Sequence, residues 1–401
     1  MKKILIVDDE VQILKSFTRM FMDTDYKIFT AQNSSDALDI IEKEAIDMII
    51  SDMRMPLMDG YKLLNIVKEK YPKVIRVLLS GYAEEKPMFR ALLHNLAKLY
   101  IFKPWNNNEF LQTVSKLFEN EQQMQSKDLI EIIDNLEPIY DSPGNCSNIM
   151  QKLNEENLDE VINLIEHDTA ISECLLRVSK SAIYGVMPNT VRQAASYIGL
   201  PNLKSFIYWA CLKNTISNQI ACNQHSTPSE KDAVSALQIL YDHAYLTNRI
   251  FLFIYEAFHH KQPPEASMFA GLMHNIGLLI QLGNLSNKGD LNIQDLTVSK
   301  LMELDSGEYQ HSHCLVGAHF IDVWDLPFSI YEATLYHHRP MDKNIVHNEL
   351  VSGVHIALAY AWKVLTDADN RPIEPQVFKN INISPEDFEA RLARYLKQKK
   401  I

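Results

Sequence analysis

No apolar run in the 401 residues approaches the length of a membrane span, so nothing in the chain reads as a transmembrane helix. The start, MKKILIVDDE, offers two lysines and then only ILIV before two aspartates, too short for the core of a secretory signal. A cytoplasmic location without membrane contact is the expectation. Cysteine is sparse. Cys146, Cys174, Cys211, Cys222 and Cys314 include no close pair of the CxxC kind, which disfavours a zinc or disulfide framework and reads as buried free thiols. Positive charge is in deficit, with a formal net charge of -12, which disfavours sequence-independent attraction to nucleic acid phosphates or to an anionic membrane. No internal repeat or low-complexity segment stands out. With 46% hydrophobic and 22% charged residues the composition is that of a globular protein. Its length implies about two to three domains.

The first 119 residues alternate short apolar runs with helical periodicity. ILIV (4–7), MII (48–50), VLL (77–79) and LYIF (99–102) read as buried strands, and YKIF (26–29) as a weaker one. Strands separated by amphipathic helices predict an α/β, doubly wound, five-stranded parallel sheet. Ligands of such sheets bind beyond the carboxyl ends of the strands. Polar residues gather there: Asp8 and Asp9 follow the first run, Asp52 the third, Ser80 the fourth and Lys103 the fifth.

Residues 120–134 are glutamine-rich and polar before an apolar rhythm returns, which predicts a helical linker that could pair with a second copy in a homodimer. Residues 135–380 carry helical periodicity with almost no strand signal and predict an all-α domain. A terminal helix is expected within 381–401, with Ser384 as N-cap and Pro385 at the first helical position.

Carboxylates crowded at one rim repel each other unless a cation sits among them, and oxygen ligands with an incomplete protein shell suit Mg2+. An ammonium and a hydroxyl opposite them suit a phosphoryl group. The motifs VDDE, SDMRMPLMDG, LLSGYA and YIFKPW occur in the right order to resemble the receiver domain of two-component response regulators. The resemblance implies that Asp52 accepts phosphate from a sensor histidine kinase or phosphotransfer protein. It implies Mg2+ bound by Asp9, Asp52 and the backbone carbonyl of Arg54, with Asp8 acting through water. By the same resemblance Lys103 pairs with the phosphoryl group, Ser80 is the switch hydroxyl, and Tyr100 is the aromatic that turns inward. Arg54 and Tyr82 are bulky neighbours, placed either to shield an acyl phosphate or simply to be solvated.

In the helical part, His243, His274, His313, His337 and His338 recur in an order that invites a metal reading. LIEHDTAISECLLRVSKSAIYG, QAASYIGLPNLKSF, MFAGLMHNIGLLI and HSHCLVGAHFIDVWDLPFSIYEATLYHH each resemble the HDOD domain, a relative of the HD superfamily of metal-dependent phosphohydrolases. The superfamily places an aspartate beside the second histidine; here Asn275 follows His274. A neutral amide cannot bridge two cations, and at an effective dielectric near 20 a unit charge pair at about 4 Å is worth about 4 kcal/mol. The relatives that cleave cyclic di-GMP also carry a lysine where this chain has Leu278, and a Gly-Tyr-Pro motif where HHRPMDKN stands. The imidazole cluster is therefore expected to be short of the negative charge that activates water, with no catalytic residue and no enzyme activity. Three alternatives stay open: a metal-dependent phosphohydrolase or cyclic di-GMP phosphodiesterase, a module that binds a second messenger without cleaving it, and a residual transition-metal site at His243, His274, His313, His337 and His338.

VRQAASYIGLPNLKSF has the rhythm of a DNA-binding helix-turn-helix, but it coincides with the HDOD pattern and offers only Asn202, Lys204 and Ser205 to DNA. The expectation is a response regulator whose receiver at 1–119 controls a non-catalytic HDOD output domain at 135–380 that contacts a protein partner rather than DNA.

Overall fold

In a computed structural model the chain is described at residues 1–81, 95–134, 136, 146–155, 157–180, 188–222, 230–261, 263, 267–288, 296–306, 310–366 and 373–399. It divides into two compact units, Met1–Glu121 and Gln122–Ile401.

The first unit is built on five parallel strands, β1 (Lys3–Val7), β2 (Lys27–Ala31), β3 (Met48–Asp52), β4 (Ile75–Ser80) and β5 (Leu99–Phe102), in the order β2-β1-β3-β4-β5. β1 and β3 lie inside the sheet and are buried almost throughout because helices cover both faces of a parallel sheet. β2 lies at the edge, with Lys27 and Thr30 exposed and Ile28 and Phe29 half-buried. That explains its weaker sequence signal and its start one residue later than the apolar pattern suggests. The helices α1 (Val11–Met20), α2 (Ser34–Lys43), α3 (Gly60–Lys70) and α4 (Asn107–Met124) flank the sheet. The starts of α2, α3 and α4 are set by side-chain caps: Asn33 accepts the Asp36 N–H at 2.9 Å, Asp59 accepts the Lys62 N–H at 2.8 Å, and Asn106 accepts the Asn108 N–H at 2.9 Å. Leu5, Val7, Ile49, Leu63, Leu64 and Leu78 form part of one continuous core. With every strand parallel, their carboxyl ends share one edge, and the polar residues above lie along it.

Among its described residues the second unit contains helices and no strand, and no described helix of the chain is long and apolar enough to cross a membrane. Helix Glu230–Ile254 packs along helix Asn348–Thr366, and helix Gln310–Val323 packs on helices Ile276–Lys288 and Phe328–Tyr336. One crossing depends on glycine: a Cβ at Gly277 would stand 1.9 Å from the His313 carbonyl oxygen. The two backbones touch there, and His274 and His313 each lie against His337. Helix Lys127–Asp134 packs on the same Gln310–Val323 helix. Just before it, the Gln123 amide donates to the Tyr336 hydroxyl at 3.2 Å. The terminal helix Pro385–Lys399 is capped by Ser384, whose hydroxyl accepts the Asp387 N–H at 3.1 Å.

Cys174 and Cys314 are free and buried. Cys211 is disulfide-bonded, which corrects the expectation of free thiols throughout.

Candidate functional site

Two sites emerge, one in each unit. In the first, Asp8, Asp52 and Ser80 are buried at the ends of β1, β3 and β4, and Lys103 follows β5. The Lys103 ammonium donates to Asp52 Oδ1 and lies 3.4 Å from Asp8 Oδ2, so it bridges two strand ends separated by 44 residues of chain. Asp52 Oδ2 accepts the Arg54 N–H at 2.8 Å, and Asp8 Oδ1 accepts the Glu10 N–H at 2.9 Å. Gly60 lets α3 begin against the acceptor strand, since a Cβ there would lie 2.0 Å from the Asp52 carbonyl oxygen.

Burial pushes the Asp8 carboxyl above its ordinary pKa and the neighbouring Asp52 adds to this, while the Glu10 N–H and Lys103 oppose it. Burial works against the Lys103 charge, yet the Asp52 and Asp8 carboxylates outweigh it and hold the ammonium above its ordinary value. Asp9 is exposed beside them. Two carboxylates thus share one ammonium with a third exposed next in sequence, and the donor set is all oxygen. That chemistry fits a hard divalent cation and does not fit a thiophilic one. The Ser80 hydroxyl donates to the Gly81 carbonyl at 3.2 Å. Tyr100 is half-buried on β5, its hydroxyl accepting the Ala97 N–H at 3.3 Å. Arg54 is exposed, and Tyr82 lies outside the described residues.

The second unit brings all five sequence-singled histidines into one buried cluster. Ring centroids are 5.3 Å apart for His243 and His274, 5.2 Å for His274 and His337, 5.3 Å for His313 and His337, and 4.2 Å for His337 and His338. Carbonyls fix two tautomers. A carbonyl only accepts, so His274 donates Nδ1–H to Gly271 at 2.7 Å and His337 donates Nδ1–H to Thr334 at 2.8 Å, leaving each Nε2 with its lone pair when the ring is neutral. His313 Nε2 lies 3.3 Å from His337 Nε2. Burial, then the neighbouring His338, His274 and His313, hold the His337 pKa well below its ordinary value, so that ring is neutral at pH 7. Asn275 is buried, and neither polar atom of its amide has a hydrogen-bond partner among the described residues.

Sequence reasoning missed two members. Cys314 places its sulfur 3.6 Å from His313 Nε2, with burial pushing its thiol pKa up. Asp305 is fully buried, its Oδ1 3.3 Å from His338 Nε2 and 3.8 Å from His313 Nε2, and its Oδ2 accepting the Trp362 indole N–H at 3.0 Å. The expectation of a cluster short of negative charge is corrected by this carboxylate. A signal existed: Asp305 stands one turn after Leu301, on the buried face of helix Val298–Ser306. The donor atoms of His313, Cys314, His337 and His338 all lie within 4.8 Å of one another, a spacing and composition that suit a borderline transition metal.

The helix-turn-helix decoy loses its contacts. Asn202, Lys204 and Ser205 are buried; Asn202 Oδ1 accepts the Met268 N–H at 3.1 Å and the Lys204 ammonium donates to the Asp325 carbonyl at 2.9 Å.

An acidic rim on a β2-β1-β3-β4-β5 sheet, joined to a helical unit with buried histidines, defines a two-domain signalling class, and comparison with known proteins agrees. The profile of the response regulator receiver domain matches residues 4–115, and that of the HDOD domain matches residues 139–340. The chain belongs to the HDOD family and is a response regulator of two-component signalling, with its receiver domain ahead of the HDOD domain. It is similar to the hydrogenase transcriptional regulatory protein HoxA of Bradyrhizobium diazoefficiens, 33% identical over 113 residues that cover 28% of this chain and 23% of that protein. It is similar also to sporulation initiation phosphotransferase F of Bacillus subtilis, 32% identical over 120 residues, covering 29% of this chain and 92% of that protein. Among solved structures it resembles the signal receiver domain of an HD domain-containing protein from Pseudomonas fluorescens Pf-5, with 28% identity, a TM-score of 0.29, and coverage of 30% of this chain and 97% of that one. The chain spans only about a quarter of the length of the first curated relatives, at 23% and 24%.

Proposed function

We propose that Asp52 is the phosphoacceptor and that the HDOD unit is a non-catalytic output module acting through a protein partner. The observation that carries the first half is the Lys103 bridge between Asp8 and Asp52. An Asp52 oxygen attacks phosphorus, the bond to the donor nitrogen breaks, and the Lys103 ammonium turns from carboxylate to phosphoryl oxygens. Asp8, Asp9, Asp52 and the Arg54 carbonyl would hold Mg2+, which when bound neutralises the phosphoryl oxygens. Phosphorylation adds about two negative charges. That charge draws the Ser80 hydroxyl toward the new oxygens, and Tyr100 takes up the space it leaves. Incubation with acetyl phosphate and Mg2+ tests this assignment: label should reach the wild type and be absent from Asp52→Asn, and equal labelling of both would exclude it.

Two features support a non-hydrolytic HDOD unit. Asn275 stands where a bridging carboxylate is required, and Leu278 stands where a lysine would meet phosphate. Hydrolysis of cyclic di-GMP with Mn2+ or Fe2+ added is the assay; turnover lost in His274→Ala would overturn the reading. Asp305 favours one second reading, a single transition metal held at His313, His337 and His338 with no substrate turnover. Chelator treatment followed by a melting scan separates that reading from a purely hydrogen-bonded cluster, which predicts an unchanged midpoint.

A further inference from the structure

The histidine cluster of the helical unit carries a sulfur where its resemblance leads one to expect oxygen. Asn275 withholds the carboxylate that the HD superfamily sets beside its second histidine. Two other buried side chains able to carry negative charge, Cys314 and Asp305, stand at the cluster instead.

The distances around Cys314 are those of a tetrahedron. Zinc holds imidazole nitrogen at about 2.0–2.1 Å and thiolate sulfur at about 2.3 Å, so tetrahedral ligands stand about 3.3 Å apart for two nitrogens and about 3.6 Å apart for nitrogen and sulfur. His313 Nε2 lies 3.3 Å from His337 Nε2, and Cys314 Sγ lies 3.6 Å from His313 Nε2 and 3.9 Å from His337 Nε2. His337 is oriented for the same role, since its Nδ1–H donates to the Thr334 carbonyl and leaves the Nε2 lone pair to the cluster. His338 supplies a fourth donor atom within the same 4.8 Å.

Charge balance agrees. A dication bound by three neutral imidazoles and one thiolate keeps a single positive charge, which is costly in a buried site unless an anion faces it. Asp305 is fully buried, with Oδ1 3.3 Å from His338 Nε2 and 3.8 Å from His313 Nε2, where it offsets that charge. With the sulfur left out, one carboxylate would face two positive charges.

We propose that His313, Cys314, His337 and His338 form a closed, sulfur-ligated zinc site that ties helix Gln310–Val323 to the end of helix Phe328–Tyr336, with Asp305 as its counter-charge. On loading, Cys314 Sγ bonds the metal and the thiol proton passes to solvent. Four protein ligands leave no position at which water could be activated, so the site is structural. The proposal rests on the reading of a single transition metal in the HDOD unit and adds its fourth ligand, its identity and its role.

The test uses the full chain, stripped with chelator, as wild type, Cys314→Ser, Cys314→Ala and Cys174→Ser. Each is titrated with Co2+, whose spectrum reports its ligands, and with Zn2+ in competition with a chromophoric chelator. The wild type should show a sulfur-to-cobalt charge-transfer band in the near ultraviolet and the intense visible bands of tetrahedral cobalt, both unchanged by added azide. The two Cys314 variants should lose the charge-transfer band and bind Zn2+ at least about 100-fold more weakly, because losing a group that only supports ligands already costs about 10- to 100-fold. Cys174→Ser, which removes the other buried free thiol, should match the wild type. Cobalt bound without the sulfur band overturns the proposal and leaves a histidine-only site standing. A band that survives in both Cys314 variants places the sulfur elsewhere, and a spectrum shifted by azide shows an open position; either overturns the closed site. A wild type that binds neither metal removes the single-metal reading and this proposal with it.

Discussion

Asp305 sets one carboxylate between an indole and an imidazole: Oδ2 accepts the Trp362 N–H at 3.0 Å while Oδ1 faces His338 Nε2 at 3.3 Å. A fully buried carboxylate survives only where donors surround it, so these contacts tie helix Val298–Ser306 to helix Asn348–Thr366 and to the histidine pair.

Removing that acceptor is therefore expensive. Asp305→Ala should lower unfolding free energy by about 3 kcal/mol, because a buried network loses its charged member. Asp305→Asn keeps an acceptor for Trp362 and should cost less. Urea denaturation followed by tryptophan fluorescence gives both values, and equal stability of all three chains would contradict the network.

The neutral state of His337 gives stability a pH dependence of known sign. Its folded pKa lies well below the ordinary 6.5, so below that value the unfolded chain binds a proton that the folded one refuses. The stabilisation is complete above about pH 6.5 and is lost as pH falls, by up to about 1.4 kcal/mol per unit for one group. Denaturant titrations of chelator-treated protein at about pH 7 and about pH 5.5 should show this loss, and greater stability at the lower value would contradict it.

Gly277→Ala should disrupt the histidine cluster without altering any histidine. The added Cβ would stand 1.9 Å from the His313 carbonyl oxygen, so helices Ile276–Lys288 and Gln310–Val323 must separate. A loss of at least about 2 kcal/mol and faster amide exchange near His313 are expected. Native-like exchange in that variant would show that the crossing is looser than described.

Much of the receiver was legible in the sequence for a physical reason. Buried parallel strands such as those ending at Asp8 and Asp52 are nearly continuous apolar runs, and the polar residue that ends each run is displayed at one edge. Lys103 and Ser80 could be placed the same way. The helical unit hides more. His274 and His337 announce themselves as histidines in a helical pattern, whereas the sequence hints at Asp305 only through its place one turn after Leu301. With no close cysteine pair in the sequence, nothing there marked Cys211 as disulfide-bonded.

The central assignment is chemical, and one measurement addresses it directly. The full chain is treated with acetyl phosphate and Mg2+ and then with borohydride, which reduces an aspartyl phosphate to homoserine and releases the phosphate, and after digestion the peptides are searched for homoserine in place of aspartate. Modification at Asp52, reduced sharply in Lys103→Ala and absent in Asp52→Asn, is the result expected. Phosphate found at another aspartate in the wild type, or none on the chain, would contradict the account.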